Sequence, residues 1–372
     1  INFLDKIILI FFFYTLVVLL INFFENYSNN EPFSKLIIHK TFFYLRYLVF
    51  YLILRFLVSQ KTLRLDWFSL ACALCATFIC LDILVQFFLG KDILGLEPYT
   101  DRHYSGVFGE ELIAGGYLQK FALFSFFLPF VIKKNLFHKI LILFIFFAFF
   151  LFGIVLSGNR MPLLLYIFSF LTFLIFNKKL RKYFFTILII TILSLTLYSK
   201  INLSFKVNVS NFYTDGKNLI HVFFLDVDAV DKPADIWKRP YVSEIACFKT
   251  IWNKNSIFGG GIKSYRTFYG GCGSHPHNYY LEILTDLGLI GLSIILFFIF
   301  MLLRKIFVKK TTLPLQNFNT LDNMISPFLL IFLTEFFPLR STGSFFSTSN
   351  ASIIFIILAI LVSLASNKKV YN

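Results

Sequence analysis

The residues with most chemical capacity form one run, Ser274-His275-Pro276-His277-Asn278-Tyr279-Tyr280-Leu281-Glu282, followed by Leu287-Gly288-Leu289-Ile290-Gly291. In a chain this apolar, a polar segment beside a hydrophobic one needs a task to justify it. Pro276 suits the first position of a helix and His275 a place near its cap, which predicts His277 in the first turn. The positive end of the helix dipole disfavours imidazolium there. It leaves the neutral ring that a general base needs at neutral pH. The competing reading is a histidine that only caps the helix or rests at the interface. His275 and His277 as a metal pair fit less well, because helical spacing puts i and i+2 on different faces and no Cys or acidic residue stands at ligand spacing nearby.

A second group is cationic. Arg160 follows Ser157-Gly158-Asn159, a short turn whose backbone N–H groups could also face an anion. Arg340 sits in another turn of small residues, and Lys263 and Arg266 follow Gly259-Gly260-Gly261. Arginine binds phosphate through two donors and keeps its charge, so together these groups suit a diphosphate. Taken singly, each is equally explained by membrane topology or headgroup anchoring. The glycine run is not a P-loop, which needs Lys directly after its last Gly, between a strand and a helix. It reads instead as a flexible segment for close backbone approach. Asp226 and Asp228, continued by Asp231 and Asp235, are a weak divalent-metal candidate beside the commoner solvated acidic loop. Asp82 and Gln86, one turn apart in an apolar run, are expected to line a pocket or bond to a neighbouring helix.

The elements that must position these residues follow from composition. Apolar residues make up 58% of the 372, and 53 are phenylalanine, against about 45–50% apolar in an average soluble domain. The apolar runs are continuous and about 17–22 residues long, which predicts an all-α polytopic membrane protein rather than a barrel. Ten spans are expected, at 7–24, 37–58, 66–89, 113–132, 140–156, 161–177, 183–198, 287–303, 325–338 and 350–366. The run at 325–338 is short and contains Pro327 and Glu335, so tilting, breakage or lengthening is expected there. The chain divides into N-terminal spans (1–198), a long loop carrying the histidine motif (199–286) and C-terminal spans (287–372).

The net charge of +15 does not indicate nucleic acid. Lys133, Lys134 and Lys139, then Lys178, Lys179, Arg181 and Lys182, then Arg304, Lys305, Lys309 and Lys310 fall at every second loop, and Lys368 and Lys369 close the chain. That is the positive-inside pattern, with both ends cytoplasmic. It puts segment 90–112, the Arg160 turn, the 199–286 loop and the Arg340 turn on the opposite side. Cys72, Cys75 and Cys80 lie in an apolar run as small packing residues, and the Cys72-x-x-Cys75 spacing is a weak redox signal. Cys247 and Cys272 fall on the non-cytoplasmic side, where a disulfide is chemically allowed. The first residue is Ile1, so a fragment or processed chain lacking upstream helices is expected.

His277-Asn278, nine residues, then Gly288-Leu289-Ile290-Gly291 resembles the signature of the bacterial O-antigen ligase and polymerase superfamily. His275 to Leu284 is similar to that family over ten consecutive positions, Ser157-Gly158-Asn159-Arg160 resembles its arginine-bearing periplasmic turn, and Ile257 to Ser264 resembles its glycine-rich segment. The specific similarity spans about 140–292. Family members have about twelve spans, and two absent N-terminal helices would keep the parity of the ends.

The resemblance implies a multi-pass protein of the bacterial inner membrane, with its active site facing the periplasm. It implies transfer of a glycan from undecaprenyl diphosphate to a sugar hydroxyl of lipid A–core, without metal or cofactor. His277 would be the base and Arg160 the diphosphate clamp. Arg266, Lys263 and Arg340 would assist binding, Asn278 would orient His277 or a sugar hydroxyl, and Gly288 and Gly291 would allow close helix packing. A polymerase or a protein O-oligosaccharyltransferase shares the donor chemistry and differs in acceptor. A transporter of lipid-linked glycan would use the same arginines without a catalytic histidine, and a membrane scaffold would need neither.

Overall fold

A computed structural model of the chain describes residues 2–29, 34–100, 103–127, 136–177, 180–203, 205–207, 209–210, 213–214, 240–267, 273–308, 320–341 and 343–366. It is all-α, with no strand among the described residues. In chain order the helices are α1 (Phe3–Ser28), α2 (Lys35–Tyr44), α3 (Arg46–Ser59), α4 (Leu65–Leu89), α5 (Ala114–Phe121), α6 (Leu136–Leu156), α7 (Arg160–Phe176), α8 (Phe184–Ile201), α9 (Pro240–Lys254), α10 (Ser264–Thr267), α11 (Tyr279–Val308), α12 (Thr320–Glu335) and α13 (Thr348–Ser366). Among the described residues, seven candidate spans are long and apolar enough to cross a membrane, with α2 and α3 counted as one; Arg160–Phe176 and Ile325–Glu335 are shorter apolar helices. α2 and α3 abut at Leu45, whose backbone is still right-handed helical, so the single run expected at 37–58 is two helices end to end. Of the span expected at 113–132, the described part is α5 and a 3₁₀ stretch, Ala122–Phe127. The run expected to begin at 325 starts five residues earlier, in α12, and keeps Pro327 inside the helix.

Packing groups the chain into two compact units, each drawn from distant parts of the sequence. The first comprises Ile1–Thr62, Thr214–Lys309 and Phe336–Asn372. Asn2 starts α1 through a capping box. Its side chain accepts from Asp5 N (2.9 Å), and its own N–H donates to Asp5 Oδ2 (2.8 Å). Asp5 is buried and does not stop at the cap: Tyr51 Oη donates to it (2.6 Å), Arg55 pairs with it at 2.9 Å, and Arg55 also reaches Ser363 Oγ at 2.6 Å. One carboxylate therefore joins α1, α3 and α13 where an unpaired charge would be prohibitive. Phe12, Tyr44, Tyr47, Phe345 and Phe355 form an aromatic cluster around the same helices.

The second unit comprises Leu63–Tyr213 and Lys310–Glu335. Here Asp82 and Gln86 are both fully buried and organise the segment after α4 rather than a pocket. Asp82 accepts from Ile93 N (2.9 Å) and Val107 N (2.7 Å), while Gln86 accepts from Gly106 N (3.0 Å) and donates to Leu96 O (3.2 Å). Buried backbone donors outside helices need such partners. Lys120 and Glu335 form a buried ion pair between α5 and α12 at 3.2 Å, beside Gln119 donating to Thr334 Oγ1 at 2.9 Å. Phe147 of α6 stacks on Phe170 of α7 at 3.8 Å. Large apolar side chains such as Phe13, Phe56 and Phe185 stay exposed, as lipid-facing helices require.

Candidate functional site

The nine residues between Asn278 and Gly288 form a short helical block with a physical reason at each end. Asn278, not His275, is the cap: its Oδ1 accepts from Tyr280 N (2.9 Å) and Leu281 N (3.2 Å). Its Nδ2 donates to Pro338 O (2.9 Å) and Arg340 O (3.0 Å), which ties the helix start to the turn after α12. His277 therefore precedes the helix instead of sitting in its first turn. It has φ +43°, the left-handed region that L-residues rarely adopt, so it cannot continue the helix.

At the other end, Gly288 breaks α11 with φ +65° and ψ −168°. The glycine-rich loop fills the break backbone to backbone. Gly260 N donates to Thr285 O (2.9 Å) and Gly261 N to Asp286 O (2.8 Å), taking the acceptors that Leu289 and Ile290 would use in an intact helix. Leu289 N and Ile290 N donate instead to Ser256 O (3.0 Å) and Ile257 O (3.3 Å). A Cβ on Gly288 would lie 2.2 Å from Ile257 O, and one on Gly259 would lie 2.5 Å from Gly288 N. These glycines allow a loop to enter a helix, a broken-helix arrangement tolerable at membrane depth only where protein satisfies the backbone. A Cβ on Gly291 would meet Leu287 Cβ at 2.3 Å. Tyr14 Oη and Asn22 Nδ2 of α1 add bonds to Leu287 O (3.2 Å) and Gly259 O (2.9 Å).

Glu282 and Asp286 lie one turn apart on this block and are both buried. Glu282 Oε1 pairs with Lys263 Nζ at 2.7 Å and accepts from Ser344 Oγ at 2.6 Å, while Phe345 N donates to Glu282 Oε2 at 2.6 Å. Lys263 Nζ also donates to Ser344 Oγ. Asp286 accepts from Lys263 N (2.7 Å) and Ser264 Oγ (2.9 Å). The ammonium expected to bind substrate is thus buried and engaged in holding the 261–264 and 344–345 segments onto α11. Arg340 is buried too, with its guanidinium 5.0 Å from the centre of the Tyr279 ring. Arg266, at the end of α10, is exposed.

His277 is half-buried, and its Nε2 stands 3.3 Å from Oε1 of Glu244 on α9. Nothing in the sequence marks Glu244, because its value depends on α9 packing against α11. That packing is made by Phe248, Ile251 and Tyr265, with Trp252, Leu281 and Leu284 around them. Burial lowers the His277 pKa, with the Glu282 charge opposing. The neutral ring expected from the helix dipole thus has desolvation as its main cause. Burial also pushes Glu244 up to about 7. His275 is pushed down to about 4, chiefly by burial, then by His277, Lys263 and Arg266. Its ring lies 4.2 Å from that of His277, and its Nδ1 contacts Ser274 Oγ at 2.8 Å. Among the described residues no group of three or more His, Cys, Asp or Glu could hold a metal ion. Asp226, Asp228, Asp231 and Asp235 lie outside the described residues. Cys247 is disulfide-bonded, and Cys272 lies outside the described residues.

Arg160 belongs to the second unit. Ser157 Oγ donates to Ile154 O (2.7 Å), and Gly158 turns the chain at φ +71°. Asn159 stands at the N-cap of α7 without capping it, since its side chain accepts from Gly115 N (3.1 Å) and donates to Leu112 O (3.1 Å). Arg160 lines a cavity of about 290 Å³ whose other walls include Leu163, Ile167, Ile192 and Leu195. The cleft lies between α7 and α8 and is otherwise mostly apolar.

Residues 145–296, which include the Arg160 turn, the glycine-rich loop and the histidine block, match the sequence model described as O-Antigen ligase. The match supports the O-antigen ligase-like superfamily, in agreement with the resemblance read from the histidine motif. No curated protein matches the chain.

Proposed function

We propose, from a match to the O-antigen ligase family over residues that hold both Arg160 and His277, that the chain is a glycosyltransferase. It moves a glycan from undecaprenyl diphosphate to a sugar hydroxyl of lipid A–core at the periplasmic face of the inner membrane. The observation that carries this reading is a neutral, half-buried histidine held in a strained conformation within that matched segment. His277 takes the proton of the acceptor hydroxyl, a role worth about 10²–10⁴ in rate. The hydroxyl oxygen attacks the anomeric carbon from the face opposite the diphosphate, which inverts the centre. Arg160 meets the charge growing on the departing diphosphate while its cavity receives the start of the lipid tail. Arg266, exposed beside His275, and Arg340 assist from the histidine side. Lys263 contributes by fixing Glu282 and the loop rather than by touching substrate.

The test is transfer from a defined lipid-diphosphate glycan to a panel of acceptors by purified protein. The expected result is transfer to a lipid A–core sugar and a loss of about 10²–10⁴ in His277→Ala. Retained transfer in that variant would sink the base assignment. Transfer only to another lipid-linked glycan, or only to Ser or Thr, would replace the ligase reading with a polymerase or protein glycosylation. Transfer lost in His277→Ala with donor binding kept would exclude a transporter, while Arg160→Ala should weaken donor binding.

A further inference from the structure

We infer that Glu244 is the positioning carboxylate of His277: it accepts the Nε2 proton, so that Nδ1 is the atom that acts as base. This rests on the proposed transfer reaction and deepens it. The geometry fixes both partners independently. Glu244 lies 3.3 Å from Nε2 with only 11% of its side chain exposed, against 40% for His277. Its backbone carbonyl accepts from Tyr265 Oη at 3.1 Å, and α9 is pinned on α11 by the Phe248, Ile251 and Tyr265 cluster. His277 is fixed by its left-handed backbone and by Asn278, whose cap and two carbonyl bonds leave the preceding residue little freedom.

An imidazole with one nitrogen against a carboxylate puts its proton there and offers the other nitrogen's lone pair. Among the described residues, the following charged groups face the pair. His275 lies 4.2 Å away ring to ring, Glu282 acts on His277 from α11, and Tyr265 feels Glu244. Lys263 and Arg266 act on His275.

The step balances. The acceptor O–H breaks and Nδ1–H forms. The oxygen electron pair makes the new bond to the anomeric carbon, and the old C–O pair leaves on the diphosphate. The Glu244 carboxylate stabilises the imidazolium, which then loses its proton to water at its exposed edge.

Glu244 is pushed up to about 7, so the full effect of its charge appears above that pH. Glu244→Gln keeps the size and removes the charge. It should lower kcat by at least about tenfold with little change in KM. It should also move the acid limb of the pH–rate profile to lower pH, because the wild-type limb follows loss of the Glu244 charge near 7 whereas the variant's follows His277 alone, whose pKa burial lowers. Glu244→Asp should restore part of the rate and return the limb toward the wild-type position.

The second readout needs no glycan. Nitrogen-15 NMR of His277 in detergent-solubilised protein above pH 7, where Glu244 is charged, should show the Nε2–H tautomer in the wild type, and a shift toward Nδ1–H in Glu244→Gln. A Glu244→Gln protein with wild-type kcat, pH profile and tautomer would overturn the inference. So would an Nδ1–H tautomer in the wild type, and so would a Glu244→Gln that unfolds while a folded Glu244→Asp shows no shift of the limb. If the wild type transfers no glycan but shows the Nε2–H tautomer and loses it in Glu244→Gln, the pair stands and the transfer reading falls.

Discussion

The histidine pair and its carboxylate oppose each other in their dependence on pH. His275, ordinarily near 6.5, is lowered to about 4. Between those values the unfolded chain binds the proton and the folded chain does not, so this contribution to stability is lost as pH falls through the window. Glu244 is raised from 4.5 to about 7, so the folded chain binds the extra proton there and its contribution is lost as pH rises. Across the shared interval, 4.5 to 6.5, the two slopes offset one another. Glu244→Gln should make the unfolding midpoint in detergent rise with pH over that interval, and His275→Asn should make it fall. Parallel profiles for both variants and the wild type would reject these environments. Lys263 makes a second case at this scale. Breaking its buried pair with Glu282 by Lys263→Met should cost about 3–5 kcal/mol, whereas adding Glu282→Leu should recover much of that. His277 and Asn278 were legible in the sequence as a polar pair beside an apolar run. Glu244 was not, because α9 reaches His277 only through non-local packing, and neither was the pairing of Lys263 with Glu282, because Glu282 looked like one more polar residue of the motif.

Hydropathy predicts where helices lie but not where one is interrupted to receive a loop. The spans at 7–24 and 66–89 are legible because continuous apolar runs of that length have one outcome in lipid. The break in α11 depends on backbone pairing between residues 256–261 and 285–290, which no periodicity records. The spacing from Asn278 to Gly288 is explained by that structure: it is the length of a helical block capped at one end and opened at the other. Gly288→Ala should therefore be severe, since its Cβ would lie 2.2 Å from the Ile257 carbonyl oxygen at a positive φ. Gly291→Ala meets only the Leu287 side chain of its own helix and should be milder. Hydrogen exchange at 256–261 should rise sharply in the first variant and change less in the second; the reverse order would refute the loop-in-helix account. Asn278→Asp keeps the capping oxygens and loses the donors to Pro338 O and Arg340 O. It should retain the helix start while loosening 338–341 to exchange.

For the whole molecule, the requirement is that the Arg160 turn and the His277 segment face the same side of the membrane. Each belongs to its own unit, and loop charge is what predicts their sidedness. The positive-inside pattern predicts the basic clusters around Lys182 and Arg304 at the cytoplasmic leaflet, with 90–112 and 199–286 opposite. Single cysteines test this in a Cys75→Ala background, with a membrane-impermeant maleimide applied to cells whose outer membrane has been permeabilised. S274C and E110C should label before lysis and K182C only afterwards. The S274C result locates the histidine block, and the E110C result locates the segment whose Leu112 and Gly115 hold the Asn159 side chain. Protection of E110C until lysis, with S274C labelled, would put Arg160 and His277 on opposite faces. No single lipid diphosphate could then reach both, and the arginine would lose its role at the leaving group.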